Sequence, residues 1–340
     1  MKRALLELGD PGRLGLATAW TAVREALPRT PLLRDPVFSE CLGREVFFKV
    51  ESLQVTGSFK VRGALARMSG LSASERRAGV VTCSSGNHGR AVAWSARRLG
   101  ISAVVCVPGW VDPVKLRAIE ALGAEARLVG ESYDEAEAEA HRLARETDRV
   151  LVHPFDDPLV AAGQGTVALE ILESLPNAAS VLVPLSGGGL VGGMAYTLSA
   201  SGHPAHVVAV SATHARVMRA SLEAGQPVEL PEEPTLASAL AGGIGLDNRV
   251  TFGLVRDLVA EHEEVSEEEI AQAMAYGYRS LGLVLEGGGA TALAALLAGR
   301  IGDTSRTGPL VVVLSGGNVD IPVLSRVLAG TRSPAPPAPE

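Results

Sequence analysis

Four lysines stand against twenty-seven arginines in this 340-residue chain, and one of the four, Lys60, lies in the run Val55-Thr56-Gly57-Ser58-Phe59-Lys60-Val61-Arg62-Gly63. An ammonium held between Phe59 and Val61 is poorly solvated. Desolvation lowers a lysine's pKa toward the neutral amine, which is the form that makes a Schiff base. Lys60 is thus a candidate catalytic lysine, set against the ordinary alternative of a lysine that extends its head to water. Three other segments carry groups able to bind or react: Ser84-Ser85-Gly86-Asn87-His88-Gly89, Ser186-Gly187-Gly188-Gly189-Leu190 and Ser315-Gly316-Gly317-Asn318.

Each of these segments follows an apolar run of strand type, 80–83, 181–185 and 310–314, and Lys60 follows another at 46–50. In an open parallel sheet such ends converge on one crevice, where ligands bind. The remaining sequence fits that picture. Strand-like runs at 103–107, 126–129 and 207–210 alternate with amphipathic helical stretches, so the chain is expected to be an α/β protein with a mostly parallel sheet.

The glycine loop admits two chemistries. Gly187-x-Gly189-x-x-Gly192 matches the dinucleotide fingerprint, yet a Rossmann site carries an acidic residue about 20 positions on. Between Leu190 and Leu222 there is none, and Ser211 ends the next strand instead. A nucleotide-binding Rossmann oxidoreductase, using His214 or Arg216 for an extra phosphate, stays as the alternative from another class. The simpler reading is a phosphate cradle, in which consecutive glycines let backbone N–H groups converge at a helix N-terminus and Ser186 adds a hydroxyl donor.

Composition bounds the rest. A hydrophobic content of 46% over this length supports a large core in about two lobes. A net charge of −7 without a Lys/Arg-rich run argues against nucleic acid as partner. No stretch reaches the roughly 18 uninterrupted apolar residues of a membrane span. The start, MKRALLELGD, turns acidic before a signal-peptide core could develop, so a soluble cytoplasmic protein is expected. Cys41, Cys83 and Cys106 are scattered without a CxxC pair, and neither a disulfide framework nor a zinc cluster is indicated. The acidic run 261–269 reads as a solvated face with a helix starting around Ser266 in a capping-box pattern.

Taken together, Gly57-Ser58-Phe59-Lys60, the Ser84–Gly89 and 186–190 loops and Ser315–Asn318 resemble the motif set of the fold-type II pyridoxal-phosphate enzymes, in the threonine dehydratase and serine racemase branch. The similarity runs in order from about Thr30 to about Ile321 and includes His153-Pro154 and Ala162-Gly163-Gln164-Gly165-Thr166. The stretch 240–248 and the serine-led glycine loop look most like the hydroxyectoine-utilisation dehydratases of that branch. The resemblance implies a tryptophan synthase β-like fold of two open, mostly parallel-sheet lobes with the cofactor in the cleft between them. It further implies a large cofactor-binding domain of residues 1–65 and 153–330, a smaller substrate-closing domain of residues 66–152, and a disordered tail at 331–340.

By the same resemblance, Lys60 holds pyridoxal 5′-phosphate covalently and acts as base, and Phe59 packs on the pyridine ring. Asn87 bonds the 3′-oxygen, while Ser186, Gly187, Gly188, Gly189 and Leu190 bind the phosphate. Ser315 faces the pyridine nitrogen; a hydroxyl there leaves that nitrogen largely unprotonated. Ser84, Ser85, Gly86, Asn87 and His88 cradle the substrate carboxylate, and Ser85 matches the reprotonating serine of serine racemase. His88 reads either as a general base or as a locally bonded core residue. Glu286 reads either as a cofactor neighbour or as a helix N-cap.

Two departures from the family pattern stand out. Ser211-Ala212-Thr213-His214-Ala215-Arg216-Val217 lacks the carboxylates that hold a divalent cation in several relatives, so no metal is expected, with Arg216 either supplying charge in its place or solvated. Phe155 stands where an asparagine is usual. The implied function is a dehydratase or ammonia-lyase acting on a small β-hydroxy amino acid as a homodimer or homotetramer, with an amino-acid racemase as the same-class alternative.

Overall fold

The apolar runs form two separate sheets. A six-stranded sheet has the order β1-β2-β10-β7-β8-β9, built from β1 (Leu32–Asp35), β2 (Val46–Val50), β7 (Ser180–Pro184), β8 (His206–Ala212), β9 (Glu261–Val265) and β10 (Leu310–Leu314). A four-stranded sheet has the order β5-β4-β3-β6, built from β3 (Val80–Cys83), β4 (Ala103–Val107), β5 (Glu125–Leu128) and β6 (Val150–Leu151). All pairings are parallel except β1 with β2. The computed structural model describes residues 15–111 and 113–331, and the proline-rich segment after Thr331 lies outside the described residues.

Strands β7 and β10 are buried along their whole length, which is why they read as the unbroken runs SVLVP and LVVVL. Below them Phe38 meets Phe48 edge-on at 6.1 Å and leans on Tyr276, with Met274 and Val312 in the same core. The second core gathers Val61, Leu65, Met68, Val80, Val92, Val105 and Ile119 around the smaller sheet.

Strand β9 is the one place where charge pattern misled. Glu261-His262-Glu263-Glu264-Val265 was expected as a solvated face, yet it pairs in parallel with β8. An edge strand shields one side with polar side chains and needs no apolar run. The helix start at Ser266 follows the pattern: Ser266 Oγ accepts from Glu269 N, and the Glu269 carboxylate accepts from Ser266 N at 2.7 Å.

The chain divides into two compact units, Pro28–Phe59 with residues from Gly165 onward, and Lys60–Gln164 with the described residues up to Leu27. These divisions differ from 65/66 and 152/153. The helix Leu16–Ala26 buries Trp20 and Val23 against the helix Lys60–Ser69, which packs in turn on Asn87–Leu99, so all three belong with the four-stranded sheet.

Candidate active site

Strands β2, β10 and β7 are parallel neighbours, so the loops that follow them leave the six-stranded sheet at one edge. After β2 the chain forms a turn in which Gly57 has φ +76, a conformation that favours glycine, and the Asn318 side chain fills the place a Cβ would take. Ser58 then bridges to Gly316, and Phe59 N donates to Ser315 O at 3.1 Å. Ser315 is buried, with its hydroxyl 3.5 Å from Gly288 O. Glu286 N donates to Gly316 O, and the Glu286 carboxylate lies beside Gly316. Glu286 occupies the N-cap position of the helix Gly287–Leu297, but its side chain makes no cap bond.

Three glycines let that helix start in so narrow a space. A Cβ on Gly287 would overlap the Leu236 carbonyl, and one on Gly289 the Gly316 carbonyl. The segment 235–240 is held from above: the Glu267 carboxylate accepts from Thr235 Oγ1 at 2.5 Å and Leu236 N at 2.6 Å, and Leu240 O accepts from Ser186 Oγ at 2.9 Å. Through this bond Ser186 ties the glycine loop to the neighbouring segment. The glycine loop itself ends in Gly188 at φ +81, the N-cap of the twelve-residue helix Gly189–Ala200, with no side-chain cap on the first N–H groups.

At the edge of the four-stranded sheet the polar groups are side chains. Lys60 opens its helix and donates from Nζ to Pro154 O at 2.9 Å. The loop after β3 leads into the helix Asn87–Leu99, whose N-cap Gly86 again makes no side-chain cap, and Ser84 Oγ accepts from Gly86 N at 3.3 Å. Gly89 has no room for a Cβ against Ser84 O. His88 is buried and shares a hydrogen bond through Nε2 with Val152 O at 2.9 Å. Burial and then nearby Lys60 push its pKa down to about 3. The ring is thus locally bonded to the backbone at the end of the four-stranded sheet.

The sequence had given no role to His153, whose Nδ1 accepts from Phe155 N at 3.2 Å and Asp156 N at 2.7 Å, nor to Ser58. Ser58 is fully buried, and its hydroxyl has no hydrogen-bond partner among the described residues. Neither leaves a mark in composition, because both depend on which carbonyl or strand end lies opposite. In the loop after β8, Arg216 pairs with Glu223 at 3.2 Å and Glu264 at 3.7 Å. His214 bonds Pro234 O at 2.9 Å through Nδ1. Among the described residues no group of three or more His, Cys, Asp or Glu side chains could hold a metal.

A model of the pyridoxal-phosphate dependent enzymes matches residues 23–316, and the chain belongs to that family. It is 42% identical to an L-threonine ammonia-lyase of Geobacter sulfurreducens over 90% of this chain and 75% of the relative. Threonine deaminase isoform 2 of Solanum lycopersicum superposes with a TM-score of 0.87 at 32% identity, covering 95% of both chains. Maize serine racemase gives 0.85 at 32% identity, covering 92% and 95%.

The residues present fit the family's cofactor. The uncapped helix start behind Gly188 offers N–H donors and a positive end to a phosphate. The unpartnered Ser58 hydroxyl, beside the Ser315–Gly316 turn, is a buried polar atom waiting for an acceptor or donor.

Proposed function

We propose that the chain is a pyridoxal-phosphate dependent lyase that removes water and ammonia from a β-hydroxy amino acid such as L-threonine or L-serine, releasing a 2-oxo acid. The observation that carries the reading is the register at residues 58–60. Phe59 N is bonded to Ser315 O, and Lys60 follows directly. The residue that precedes the nucleophilic amine is thus tied by its backbone to Ser315, whose neutral hydroxyl suits a pyridine nitrogen.

When bound, the cofactor supplies an electron sink for breaking a bond at the substrate's α-carbon. The remaining work falls to the chain. Lys60 carries the cofactor and, once released, takes the α-proton as general base. Gly187, Gly188, Gly189 and Leu190 hold the phosphate by backbone N–H groups at the start of Gly189–Ala200. The amides and hydroxyls of Ser84, Ser85, Gly86 and Asn87 orient the substrate carboxylate at the start of Asn87–Leu99, so that no basic patch is needed. Ser315, a hydroxyl in place of a carboxylate, does not protonate the pyridine nitrogen, which favours elimination over reactions needing a longer-lived carbanion.

The names and coverage of the relatives support the lyase reading. The likeness of residues 240–248 and of the serine-led loop to hydroxyectoine-utilisation dehydratases adds hydroxyectoine-derived β-hydroxy amino acids to the substrates worth screening. No described helix is long and apolar enough to cross a membrane. We take the working form to be a cytoplasmic homodimer or homotetramer, which light scattering of the purified protein tests. The deciding experiment is a screen of β-hydroxy amino acids for 2-oxo acid release, run beside borohydride reduction and peptide mapping of the holoenzyme. Release from L-threonine or L-serine with the cofactor trapped on Lys60 is expected; a cofactor trapped elsewhere, or no elimination from any member of the screen, overturns the reading.

A further inference from the structure

Lys60 donates to a carbonyl that is itself unusually well aimed. The peptide unit joining Pro154 to Phe155 is planar and trans, so its C=O and N–H point in opposite directions. Its N–H, on Phe155, is taken by His153 Nδ1 at 3.2 Å, and its C=O, on Pro154, receives Lys60 Nζ at 2.9 Å. One peptide plane is thus gripped on one side by an imidazole and presented on the other to the amine. Asp156 N adds a second bond to the same nitrogen at 2.7 Å. The segment is anchored upstream, where Val152 O accepts from Thr82 Oγ1 and meets His88 Nε2, both at 2.9 Å. Downstream the Asp157 carboxylate accepts from Leu159 N and Val160 N. Phe155 stands edge-on to the His153 ring at 4.7 Å.

We propose that His153 is a positioning residue for Lys60: as a neutral imidazole it turns the Pro154 carbonyl toward the lysine, and that carbonyl holds the amine whenever it is not covalently engaged. The proposal rests on the assignment of Lys60 as the cofactor's lysine. An amine that donates one hydrogen to Pro154 O has its rotation about Cε–Nζ confined, and its lone pair points away from the carbonyl. It is then oriented both for attack on the cofactor's aldehyde and for taking a proton. A carbonyl cannot itself remove the proton, so the amine's basicity is kept.

The arrangement demands a particular protonation state. A nitrogen that accepts two N–H bonds carries no hydrogen, so the His153 proton resides on Nε2. Protonation of Nδ1 would break both bonds and release the peptide plane. Burial is the main cause that holds the pKa of His153 below its ordinary value; Lys60 from its helix start and His141 from the helix Tyr133–Glu146 act the same way. Asp156 and Asp157 on the same turn oppose them, and His88 is the other titratable ring that senses His153.

The test compares His153→Ala with His153→Asn, whose side-chain oxygen can accept the same two N–H groups in an Asx turn without titrating. In cofactor-free protein, the rate of covalent attachment of pyridoxal phosphate to Lys60 is followed by borohydride trapping across pH, and histidine ring nitrogens are observed by ¹⁵N NMR. We expect His153→Ala to slow attachment about tenfold, on the scale of one lost hydrogen bond. His153→Asn should restore the rate and remove the part of its acid-side decline that His153 adds to that of the Lys60 amine. The NMR should show Nδ1 of His153 unprotonated at neutral pH. A protonated Nδ1, or wild-type attachment rates and pH profiles in both variants, overturns the proposal. If the wild type itself fails to attach the cofactor at Lys60, the lyase reading fails first, and the two failures are told apart by that control.

Discussion

At the edge of the six-stranded sheet backbone groups stand beside a few serine hydroxyls and the Glu286 carboxylate: the uncapped amides behind Gly188, the carbonyls of Leu236 and Gly316, and the Phe59–Ser315 pair. At the edge of the four-stranded sheet the polar groups are side chains, Lys60, His88 and His153, each on a backbone carbonyl or amide. The difference has a physical origin. A phosphate and a flat ring are recognised by fixed dipoles, which glycine turns provide with the least side-chain entropy to lose. Proton transfer needs a titratable group whose direction is held by something that does not titrate. The first edge should therefore be sensitive to added volume, and the second to changed protonation.

The largest effect is expected at the reactive edge. Lys60→Ala and Lys60→Arg should abolish turnover while leaving circular dichroism unchanged, since arginine is neither nucleophilic nor deprotonated at working pH; catalysis retained in either variant would refute the assignment.

Next comes volume at the backbone edge. Gly289→Ala and Gly287→Ala drive a methyl into carbonyls that cannot move, and each should lower stability by about 1–3 kcal/mol in denaturant melts and weaken cofactor retention. Melts matching the wild type would show that the edge is looser than its geometry says.

Acid should act on the other unit. The folded pKa of His88 is about 3 against 6.5 for the ordinary side chain. Below pH 6.5 the unfolded chain therefore binds a proton that the folded chain does not, so stability falls as pH drops from 6.5 toward 3 and is fully present above that window. His88→Gln should flatten the loss, as read by urea midpoints at several pH values.

Ser186→Ala removes one tie to Leu240 and should weaken cofactor affinity several-fold, consistent with an ordinary hydrogen bond of about 1 kcal/mol. The loss should be equal for pyridoxal and its phosphate if the hydroxyl positions the segment, and confined to the phosphate form if it donates there. The smallest change is expected from EDTA, which should leave activity and Tm unaltered; a drop restored by Mg²⁺ or Ca²⁺ would reveal a site that the loop after β8 does not display.

The alternation of apolar runs with amphipathic stretches was enough to read a parallel α/β fold, because strands buried on both faces must be apolar throughout, as β7 and β10 are. Lys60 and the three glycine- and serine-rich loops stood out as candidates, since few residue types can supply a nucleophilic amine or a converging set of backbone amides. Strand β9 was not, because an edge strand of glutamates carries no apolar signature. Nor were the choices that depend on what lies across space. Whether Ser186 donates to a ligand or to Leu240, and whether His88 titrates or stays neutral, is decided by the atom opposite and the depth of burial. That the peptide plane between Pro154 and Phe155 faces Lys60 on one side and His153 on the other is decided the same way. Residue type fixes which hydrogen bonds can be made; only the folded chain determines which partner arrives within 3 Å, and there a single donor hydrogen can serve only one of them.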